Sequence, residues 1–538
     1  MAMACISATG LTVAFEPNPP VFQALDLHLP AEPVALIGPN GAGKTLLAEC
    51  LAGIRKPQQG SVQQQVPVAF LSQQAAEQQY PQSVAAFLGV NTALAALDRL
   101  LAGSGQVDDL SVLDERWTLK EDLQAELAQF NLNSDCLLAA MSSLSGGQRT
   151  RLHLLKLSRQ RDAYLILDEP TNHLDQAGRQ WLAHWIRQRP GGALVITHDQ
   201  TLLQTFTRLL ELRDGQLHWH GDGFAAYQQS RTQLLEKAQQ DKQHARQTLK
   251  KQRQQQQMEK EHHEQRAKRG RAKASKKDMP KILLGMRKER SETTGGRIAQ
   301  KHVTSLKEEQ QRLNVADAVL GKDNALGFPL TEPDPISGYL VRLDNVVLPW
   351  VKHPSPLNAH IMSGERWWLR GNNGSGKSTL LRAISGDIEP HAGRLHRRGS
   401  LLWLDQHLSS LDASHCALEN FRRLNPGWTD AMYRDRLALV RLRGDQALQP
   451  VGELSGGERL KVALVCTLMG PTAAQLVLLD EPDNHLDMES QTLFSNVLRQ
   501  YRGSLMVVTH SEVFAQALGV KDQVGRELLL SSNNARSF

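Results

Sequence analysis

The sequence predicts an α/β protein made of two tandem P-loop domains joined by a long, basic helical linker. Two observations lead to this prediction: a set of short motifs occurs twice in the chain, and one strongly basic segment separates the two copies. We expect the domains at residues 1–230 and 336–538, with the linker at 231–335. A thin apolar stripe in the linker favours an antiparallel helical hairpin.

The length and composition are those of a folded protein of more than one domain. The chain has 538 residues, of which 41% are apolar and 22% charged. No run of about 18 apolar residues predicts a membrane span, and the N-terminus does not resemble a secretory signal. The five cysteines form no CxxC pair, which argues against structural zinc, iron–sulfur clusters and a disulfide framework. We therefore expect a cytoplasmic protein.

The repeat is defined by motifs at nearly constant offsets. GPNGAGKT from Gly38 recurs as GNNGSGKS from Gly371, 333 residues later. LSGGQ from Leu144 recurs as LSGGE from Leu454, 310 residues later, so the first copy holds 23 additional residues between these motifs. All later motif pairs are 312 residues apart. Offsets that change in only two places indicate a duplicated domain.

Short apolar runs in each copy read as buried strands, and several of them end directly at a polar residue suited to catalysis. In a mainly parallel sheet such residues gather at the carboxyl edge. The runs are Val34–Ile37, Leu165–Leu167, Ala193–Ile196, Leu476–Leu479 and Leu505–Val508.

Each GxxxxGK[ST] motif follows an apolar strand and opens a helical pattern. One such match can be an ordinary Gly-rich turn, but two in this context predict phosphate-binding loops, whose backbone N–H groups surround an anion. Lys44 and Lys377 are expected at the β and γ phosphates of ATP, and Thr45 and Ser378 at magnesium. The predicted nucleotide-binding residues of these loops are Gly38, Asn40, Gly41, Gly43, Lys44, Thr45, Gly371, Asn373, Gly374, Gly376, Lys377, Ser378 and Thr379.

The strings YLILDEPTNHLD and LVLLDEPDNHLD place an acidic pair at a strand end in each copy. Asp168 and Asp480 are expected to orient the magnesium shell. Glu169 and Glu481 are positioned to act as general bases that polarise the attacking water. A lone strand-terminal Asp-Glu is often a solvated turn, but its recurrence after a P-loop favours the catalytic interpretation.

Further candidates rest on the same context. His198 and His510 follow the next apolar strand and are expected to contact the γ phosphate or the water, although a lone strand-end His is usually structural. Gln73 and Gln406 are candidate magnesium sensors in a chain rich in glutamine. Phe15 is a candidate for stacking on adenine, and a core position is nearly as plausible.

The LSGG motifs provide a second anion-binding helix start in each copy. One triphosphate does not need two such cradles in one domain, so we expect each motif to contact the nucleotide bound by the other copy. ATP would then hold the two domains together, and hydrolysis would release them. The residues are Ser145, Gly146, Gly147, Ser455, Gly456 and Gly457.

These motifs in this order resemble the ATP-binding cassette superfamily. Two cassettes in one chain, EPTNHLD in the first, and a charged helical linker resemble its ABC-F branch of ribosome-associated translation factors. The resemblance implies two tandem ATP-binding cassette domains with composite ATP and magnesium sites, each completed by the LSGG motif of the other cassette. The second copy departs from the first at Asp483, where the first has Thr171, and at Ser511, where it has Asp199.

The linker carries most of the positive charge. Residues 231–310 hold 22 Lys or Arg against 10 Asp or Glu, while the rest of the chain has 40 basic and 46 acidic residues. A helical arm over 231–268 and a basic tip at 269–288 would contact RNA phosphates, with a second helix resuming after Gly296. The alternative is a solvated linker that only joins the cassettes.

The resemblance implies binding at the ribosomal E site, with the linker reaching P-site tRNA or rRNA, by a monomer whose cassettes close on each other. The role would be translation regulation, rescue or antibiotic protection. Two other classes of function stay open: the energising subunit of a transporter with a separate membrane partner, and a DNA-associated ATPase.

Overall fold

The computed structural model describes residues 4–14, 20–73, 75, 83–172, 174–189, 191–274, 307, 309–315, 330–334, 336–351, 355–405, 408–440, 442, 447–454, 456–470, 473–484, 486–521, 525–530 and 536–537. The chain divides into two compact units, one formed by Met1–Phe224 with Ala325–Phe538 and the other by Ala225–Asn324. The first unit contains both copies of the repeated domain. We call its described residues up to 224 cassette 1 and those from 330 onward cassette 2.

Cassette 1 consists of a parallel sheet, a smaller antiparallel sheet and the helices that flank them. Its strands are β1 (Ala4–Val13), β2 (Phe22–Pro30), β3 (Pro33–Ile37), β4 (Gln59–Gln64), β5 (Val68–Leu71), β6 (Tyr164–Asp168), β7 (Ala193–Ile196), β8 (Arg208–Arg213) and β9 (Gln216–His220). Its helices are α1 (Lys44–Leu51), α2 (Val84–Phe87), α3 (Asn91–Leu101), α4 (Val107–Leu113), α5 (Leu119–Gln129), α6 (Gly146–Ser158), α7 (Gln176–Gln188) and α8 (Gln200–Leu203).

The larger sheet of cassette 1 has the strand order β5-β6-β7-β3-β8-β9, and its pairs are parallel except for β8 with β9. The smaller sheet, in the order β2-β1-β4, is antiparallel. Strands β6 and β7 are buried along their whole length, as expected for apolar runs covered on both faces.

The linker helix, α9 (Gly223–Ala274), follows cassette 1 and is 52 residues long. At about 1.5 Å per residue it extends roughly 78 Å. The predicted arm over 231–268 was too short at both ends, because the helix begins directly after cassette 1 and continues through Gly270 to Ala274. A single glycine costs a long helix only about 1 kcal/mol, which is too little to end it here.

Cassette 2 repeats this arrangement. Its strands are β10 (Tyr339–Val347), β11 (Leu357–Met362), β12 (Arg366–Gly371), β13 (Ala392–Arg397), β14 (Leu401–Leu404), β15 (Leu476–Asp480), β16 (Ser504–Val508), β17 (Gly525–Leu530) and β18 (Arg536–Ser537). Its helices are α10 (Lys377–Ser385), α11 (Ala417–Leu424), α12 (Asp430–Leu439), α13 (Gly456–Leu468), α14 (Met488–Gln500) and α15 (Glu512–Ala517). The sheet orders are β14-β15-β16-β12-β17-β18 and β11-β10-β13.

The structure confirms the predicted α/β class and the five predicted apolar strands, which fall within β3, β6, β7, β15 and β16. The 23 additional residues of cassette 1 fall between its P-loop and its LSGG motif, in the part of the chain that contains α3, α4 and α5. Arg99 on α3 pairs with Asp109 on α4, which joins these two helices.

Only part of the segment predicted to form a helical hairpin lies within the described residues. Ala238, Ala245 and Leu249 of the predicted apolar stripe are buried on α9, whereas Leu234 and Met258 are exposed. Of the predicted second helix, residues 307 and 309–315 are described and helical, and the basic segment 275–288 lies outside the described residues. None of the helices in the described part of the chain is both long and apolar enough to span a membrane.

Candidate functional site

Three loops with candidate residues meet at one edge of the larger sheet in each cassette. In cassette 1 the P-loop follows β3, the acidic pair ends β6, and His198 follows β7, which lies between those two strands. In cassette 2 the strands β12, β15 and β16 are arranged in the same way. Because parallel strands present their carboxyl ends at one edge, the sheet itself brings the motifs together.

The P-loop of cassette 1 opens α1 without any side-chain cap. Gly43 stands at the helix N-cap with φ +95°, and a Cβ there would lie 2.6 Å from Val21 Cγ1, so only glycine fits. The first N–H groups of α1 are left for an anion, as at other helix starts. The ammonium of Lys44 donates to the carbonyls of Gly38 at 2.8 Å and Pro39 at 2.9 Å, so it lies over the loop.

The P-loop of cassette 2 has the same construction. Gly376 has φ +95°, and Lys377 donates to the carbonyl oxygens of Gly371 at 2.8 Å and Asn372 at 3.2 Å. Burial lowers the pKa of both lysines, against the opposing influence of the nearby acidic pairs. Two buried ammonium groups held over glycine-rich loops fit the binding of a triphosphate.

The donors for a magnesium ion lie beside each P-loop. Thr45 Oγ1 donates to Asp168 Oδ2 at 2.7 Å, and Ser378 hydrogen bonds to Asp480. Burial raises the pKa of both aspartates, that of Asp480 to about 6, and a cation would offset this burial. A hydroxyl paired with a carboxylate at this place is an oxygen donor set that suits magnesium.

Of the two predicted magnesium sensors, only Gln73 lies within the described residues, and it is not part of this geometry. Gln73 is exposed, two residues beyond the end of β5, and no described contact joins it to Thr45 or Asp168. Gln406, its counterpart in cassette 2, lies outside the described residues.

Both candidate general bases have an unusual backbone conformation. Glu169 and Glu481 each have φ +48°, in the left-handed region that a residue with a side chain seldom occupies. The N–H of Glu169 donates to Ile196 O, and that of Glu481 to Val508 O, each at 2.9 Å. These bonds to the last residue of the neighbouring strand fix the turn, and backbone strain of this kind is typical of functional sites.

A histidine lies beside each of these glutamates. His198 Nε2 is 3.6 Å from Glu169 Oε1, and His510 Nε2 is 3.4 Å from Glu481 Oε1. Burial and the charge of Lys44 lower the pKa of His198 to about 3, so its ring is neutral at neutral pH. Neither contact has hydrogen-bond geometry, which leaves the Nε2 atoms of both rings available for a ligand.

The two glutamates differ in charge state despite their shared backbone. Burial and the neighbouring Asp168 raise the pKa of Glu169 to about 8. Burial also acts on Glu481, but its contact with His510, the charge of Lys377 and a 2.6 Å hydrogen bond from Asn484 Nδ2 outweigh it and bring its pKa to about 2. The candidate base of the second site is therefore ionised at neutral pH, whereas that of the first site is mostly protonated.

The LSGG motifs begin helices as predicted. In cassette 1 Ser145 Oγ accepts from Gln148 N, and Gln148 Oε1 accepts from Ser145 N, so the pair caps α6 while Gly146 and Gly147 form its first turn. In cassette 2 Gly456 and Gly457 begin α13, and Ser455 lies outside the described residues.

The cassettes contact each other through the segment that follows each acidic pair. Asp487, the N-cap of α14, accepts from Asn40 N in the P-loop of cassette 1 at 2.7 Å. In the opposite direction, Gln176 at the start of α7 accepts from Arg370 Nη2 at 3.3 Å, next to the P-loop of cassette 2. The start of the helix after each acidic pair thus approaches the P-loop region of the other cassette.

Sequence reasoning missed one aromatic residue beside the second P-loop. Trp350 is 80% exposed with φ +60°, and the adjacent Val351 packs against Gly376. The bulges at Gly10 in β1 and Asn345 in β10 are 335 residues apart, and the same offset relates Phe15 to Trp350. Aligning the two copies at these bulges, rather than at the P-loops with their offset of 333, pairs Trp350 with Phe15. Phe15 itself lies outside the described residues.

The raised pKa of Glu169 predicts a stability gain on its neutralisation. The folded, nucleotide-free protein keeps this proton up to about pH 8, while the unfolded chain ionises near 4.5, so folding loses stability as the pH rises between these values. We expect Glu169→Gln to raise the thermal unfolding midpoint, by a margin that grows from about pH 6 to about pH 8. Calorimetry across this range measures the effect.

Glu481→Gln is the matched control and should act in the opposite sense. The lowered pKa of Glu481 contributes stability above its ordinary value of 4.5, which is lost only as the pH falls towards about 2. We expect its neutralisation to cost roughly 1–3 kcal/mol at neutral pH. Shifts of the same sign for the two variants would contradict the assigned charge states.

Trp350 is expected to stack on the adenine of a nucleotide in cassette 2. With cassette 1 disabled by Lys44→Ala, Trp350→Ala should weaken equilibrium ATP binding by about 0.5–1.5 kcal/mol, and Trp350→Phe should retain most of the affinity. Trp117, 52% exposed on cassette 1, supplies the control, and Trp117→Ala should leave binding unchanged. Equal effects of the Trp350→Ala and Trp117→Ala changes would exclude stacking.

Comparison with known proteins agrees with this geometry. The family model described as ABC transporter matches residues 23–172 and 355–484, one match in each cassette. The tylosin resistance ATP-binding protein TlrC of Streptomyces fradiae is 28% identical, with 94% of each chain covered. The energy-dependent translational throttle protein EttA of Escherichia coli (strain K12) is 28% identical over 90% of this chain and 85% of its own.

A solved structure shares the fold. The crystal structure of the complex of archaeal ribosomal stalk protein aP1 and archaeal ribosome recycling factor aABCE1 contains a chain that matches with a TM-score of 0.51 and 18% identity, covering 97% of this chain and 87% of that one. At this identity the likeness concerns the fold alone. With both cassettes matched by the family model and relatives aligned along nearly the whole chain, the protein belongs to the ATP-binding cassette family and, as predicted, to its ABC-F branch.

Proposed function

We propose that this protein hydrolyses ATP at two composite sites between its cassettes and uses that cycle to bind and leave the ribosome in the cytoplasm. Hydrolysis at composite sites is supported by a pair of reciprocal contacts. The segment after each acidic pair contacts the other cassette beside its P-loop, at Asn40 and at Arg370. Such a head-to-tail arrangement gives each nucleotide a partner surface on the opposite cassette.

Within each site the side chains have separate tasks. Lys44 and Lys377 bind phosphate oxygens, and Glu481 accepts a proton from the attacking water. Glu169 does the same in its ionised form, which a magnesium ion bound nearby would favour. A neutral His198 is suited to orient that water or a γ phosphate oxygen by a hydrogen bond. Magnesium, held through Thr45 with Asp168 and through Ser378 with Asp480, would supply positive charge at the phosphate oxygens.

The LSGG motifs complete the two sites in this proposal. Ser455 and Gly457 would close on the nucleotide of cassette 1, and Ser145 and Gly147 on that of cassette 2. The helix N-termini at α6 and α13 carry partial positive charge towards an anion, which supports this role. Closure would then depend on ATP, because the γ phosphate is the group that both cassettes bind.

The ribosomal part of the proposal is supported by one relative and by charge. One relative is named as an energy-dependent translational throttle protein and another as a tylosin resistance ATP-binding protein, and the first of these names supports a role in translation. The linker of this chain carries 22 basic against 10 acidic residues over 231–310. A segment with that excess is suited to contact RNA phosphates without reading sequence. By resemblance to the ABC-F branch, the linker would reach P-site tRNA or rRNA from the E site.

The test is co-sedimentation with ribosomes of a Glu169→Gln, Glu481→Gln double variant in the presence of ATP. These substitutions remove the bases and keep nucleotide binding, so the closed state should accumulate and the variant should pellet with ribosomes. Retention should fall with added salt, and more gently after the Lys and Arg residues within 269–288 are neutralised, because fewer phosphate contacts remain.

Lys44→Ala with Lys377→Ala is the matched control, since it lowers affinity for the triphosphate itself and should abolish retention. Failure of the glutamate double variant to pellet, despite measured ATP binding, would exclude the ribosome as partner. Retention on ribosomes that depends neither on ATP nor on the basic segment would indicate nonspecific adhesion and would also contradict the proposal.

A further inference from the structure

A polar cavity lies where the loops after the two acidic pairs meet. Its lining contains four pairs of equivalent positions of the two cassettes, each pair 312 residues apart, and three of these pairs differ in chemistry. The four pairs are Thr171 and Asp483, Asn172 and Asn484, Arg179 and Gln491, and Asp199 and Ser511. Cassette 1 therefore contributes an arginine and an aspartate where cassette 2 contributes an amide and a hydroxyl.

Arg179 uses its three nitrogen atoms on three different segments. From α7 it donates through Nε to Leu174 O at 3.1 Å, and Nη1 pairs with Asp199 Oδ2 at 2.5 Å. Its third donor, Nη2, reaches across to Asn484 Oδ1 of cassette 2 at 3.5 Å. The side chain is buried, so this charge depends on the groups around it.

Each end of this contact leads to a different ATP site. Asp199 directly follows His198 of the first site and caps α8 by accepting from Leu202 N at 2.7 Å. Asn484 donates through Nδ2 to Glu481 Oε2, the candidate base of the second site, at 2.6 Å. A chain of polar contacts therefore runs from Asp199 through Arg179 and Asn484 to Glu481, between cassettes.

The reverse chain is absent among the described residues. Gln491, the counterpart of Arg179, donates to Asp483 O and Leu486 O of its own cassette, both at 3.3 Å. Ser511, the counterpart of Asp199, carries no charge to hold a cation. No hydrogen bond between the side chains of Asn172 and Glu169 is found in the part of the chain that the structure describes.

We propose that Arg179 is a positioning residue that orients Glu481 through Asn484, so that the rate of hydrolysis at the second ATP site responds to the state of the first, with no equivalent contact acting on the rate at the first. A movement of the His198–Asp199 loop shifts the guanidinium, and the amide that holds Glu481 follows. This inference rests on the proposed hydrolysis at two sites and deepens it by assigning a direction to their coupling.

Besides its contact with Asp199, the Arg179 guanidinium is also the counter-ion of Asp483. This buried carboxylate accepts from Thr509 Oγ1 at 2.8 Å, while its Oδ1 has no hydrogen-bond partner, and Arg179 is the cation nearest to it in the cavity lining. Removing the charge altogether would leave Asp199 and Asp483 without a counter-ion and endanger folding. The decisive variant is therefore Arg179→Lys, which keeps the charge for Asp199 but cannot bond to three segments at once.

The test measures the first turnover of ATP by rapid quench in full-length protein. Glu169→Gln leaves only the second site with its base, and Glu481→Gln leaves only the first. In the Glu169→Gln protein, Arg179→Lys should slow the first turnover by about tenfold or more, with the half-saturating ATP concentration within about twofold. In the Glu481→Gln protein the same change should alter the rate by less than about twofold.

Two further variants separate positioning from a general structural role. Gln491→Ala, at the equivalent position of cassette 2, should leave the first site unaffected. Asn484→Ala should slow the second site, and adding Arg179→Lys should then have no further effect, because both act through one contact. Equal slowing of both sites, no slowing, or additive effects in the double variant would each overturn the inference.

A failure of the proposed function would give a different experimental result from a failure of the directional coupling. If the protein with both glutamates intact and the two single-glutamate proteins all fail to produce ADP, hydrolysis itself is excluded and the inference falls with it. If they produce ADP and Arg179→Lys affects both sites alike, hydrolysis stands and only the directional coupling is wrong.

Discussion

The hydrogen bond between the backbone N–H of each candidate base and the end of the neighbouring strand is the contact on which both sites depend. Glu169 N donates to Ile196 O, and Glu481 N to Val508 O. This bond ends one strand, forces the glutamate into the left-handed region, and sets it beside the histidine that follows the neighbouring strand. Because that neighbour also pairs with the strand that precedes the P-loop, one short hydrogen-bonded array fixes base, histidine and lysine.

Nearly identical motifs do not produce identical chemistry in this chain. Glu169 and Glu481 share backbone angles and a histidine neighbour, yet burial raises the pKa of Glu169. The pKa of Glu481 is lowered instead by its contact with His510, by the charge of Lys377 and by the hydrogen bond from Asn484 Nδ2. A buried carboxyl with few such partners favours its neutral form, and one with several favours the charged form. The difference arises from side-chain orientations that the motif DEPxNHLD does not specify.

The parts predictable from sequence were those fixed by local pattern. Apolar runs ending in polar residues gave the strands of the sheet, and the GxxxxGK[ST] motifs gave the loops that Lys44 and Lys377 occupy. Trp350 was missed because the copies differ by two residues between the first strand and the P-loop, which hides its match to Phe15. The end of α9 was misplaced because one glycine and a change of composition do not stop a long helix.

The contact of Arg179 with Asn484 joins residues 305 apart in sequence, and no pattern along the chain announces it. It also has a consequence for how such a protein diverges. In a symmetric homodimer of cassette 1, every substitution near the axis would appear on both sides, so two guanidinium groups would face each other there. Fusion of the two copies into one chain removes that constraint. Each half can then change independently of the other, and two sites that were once equivalent can come to act one after the other.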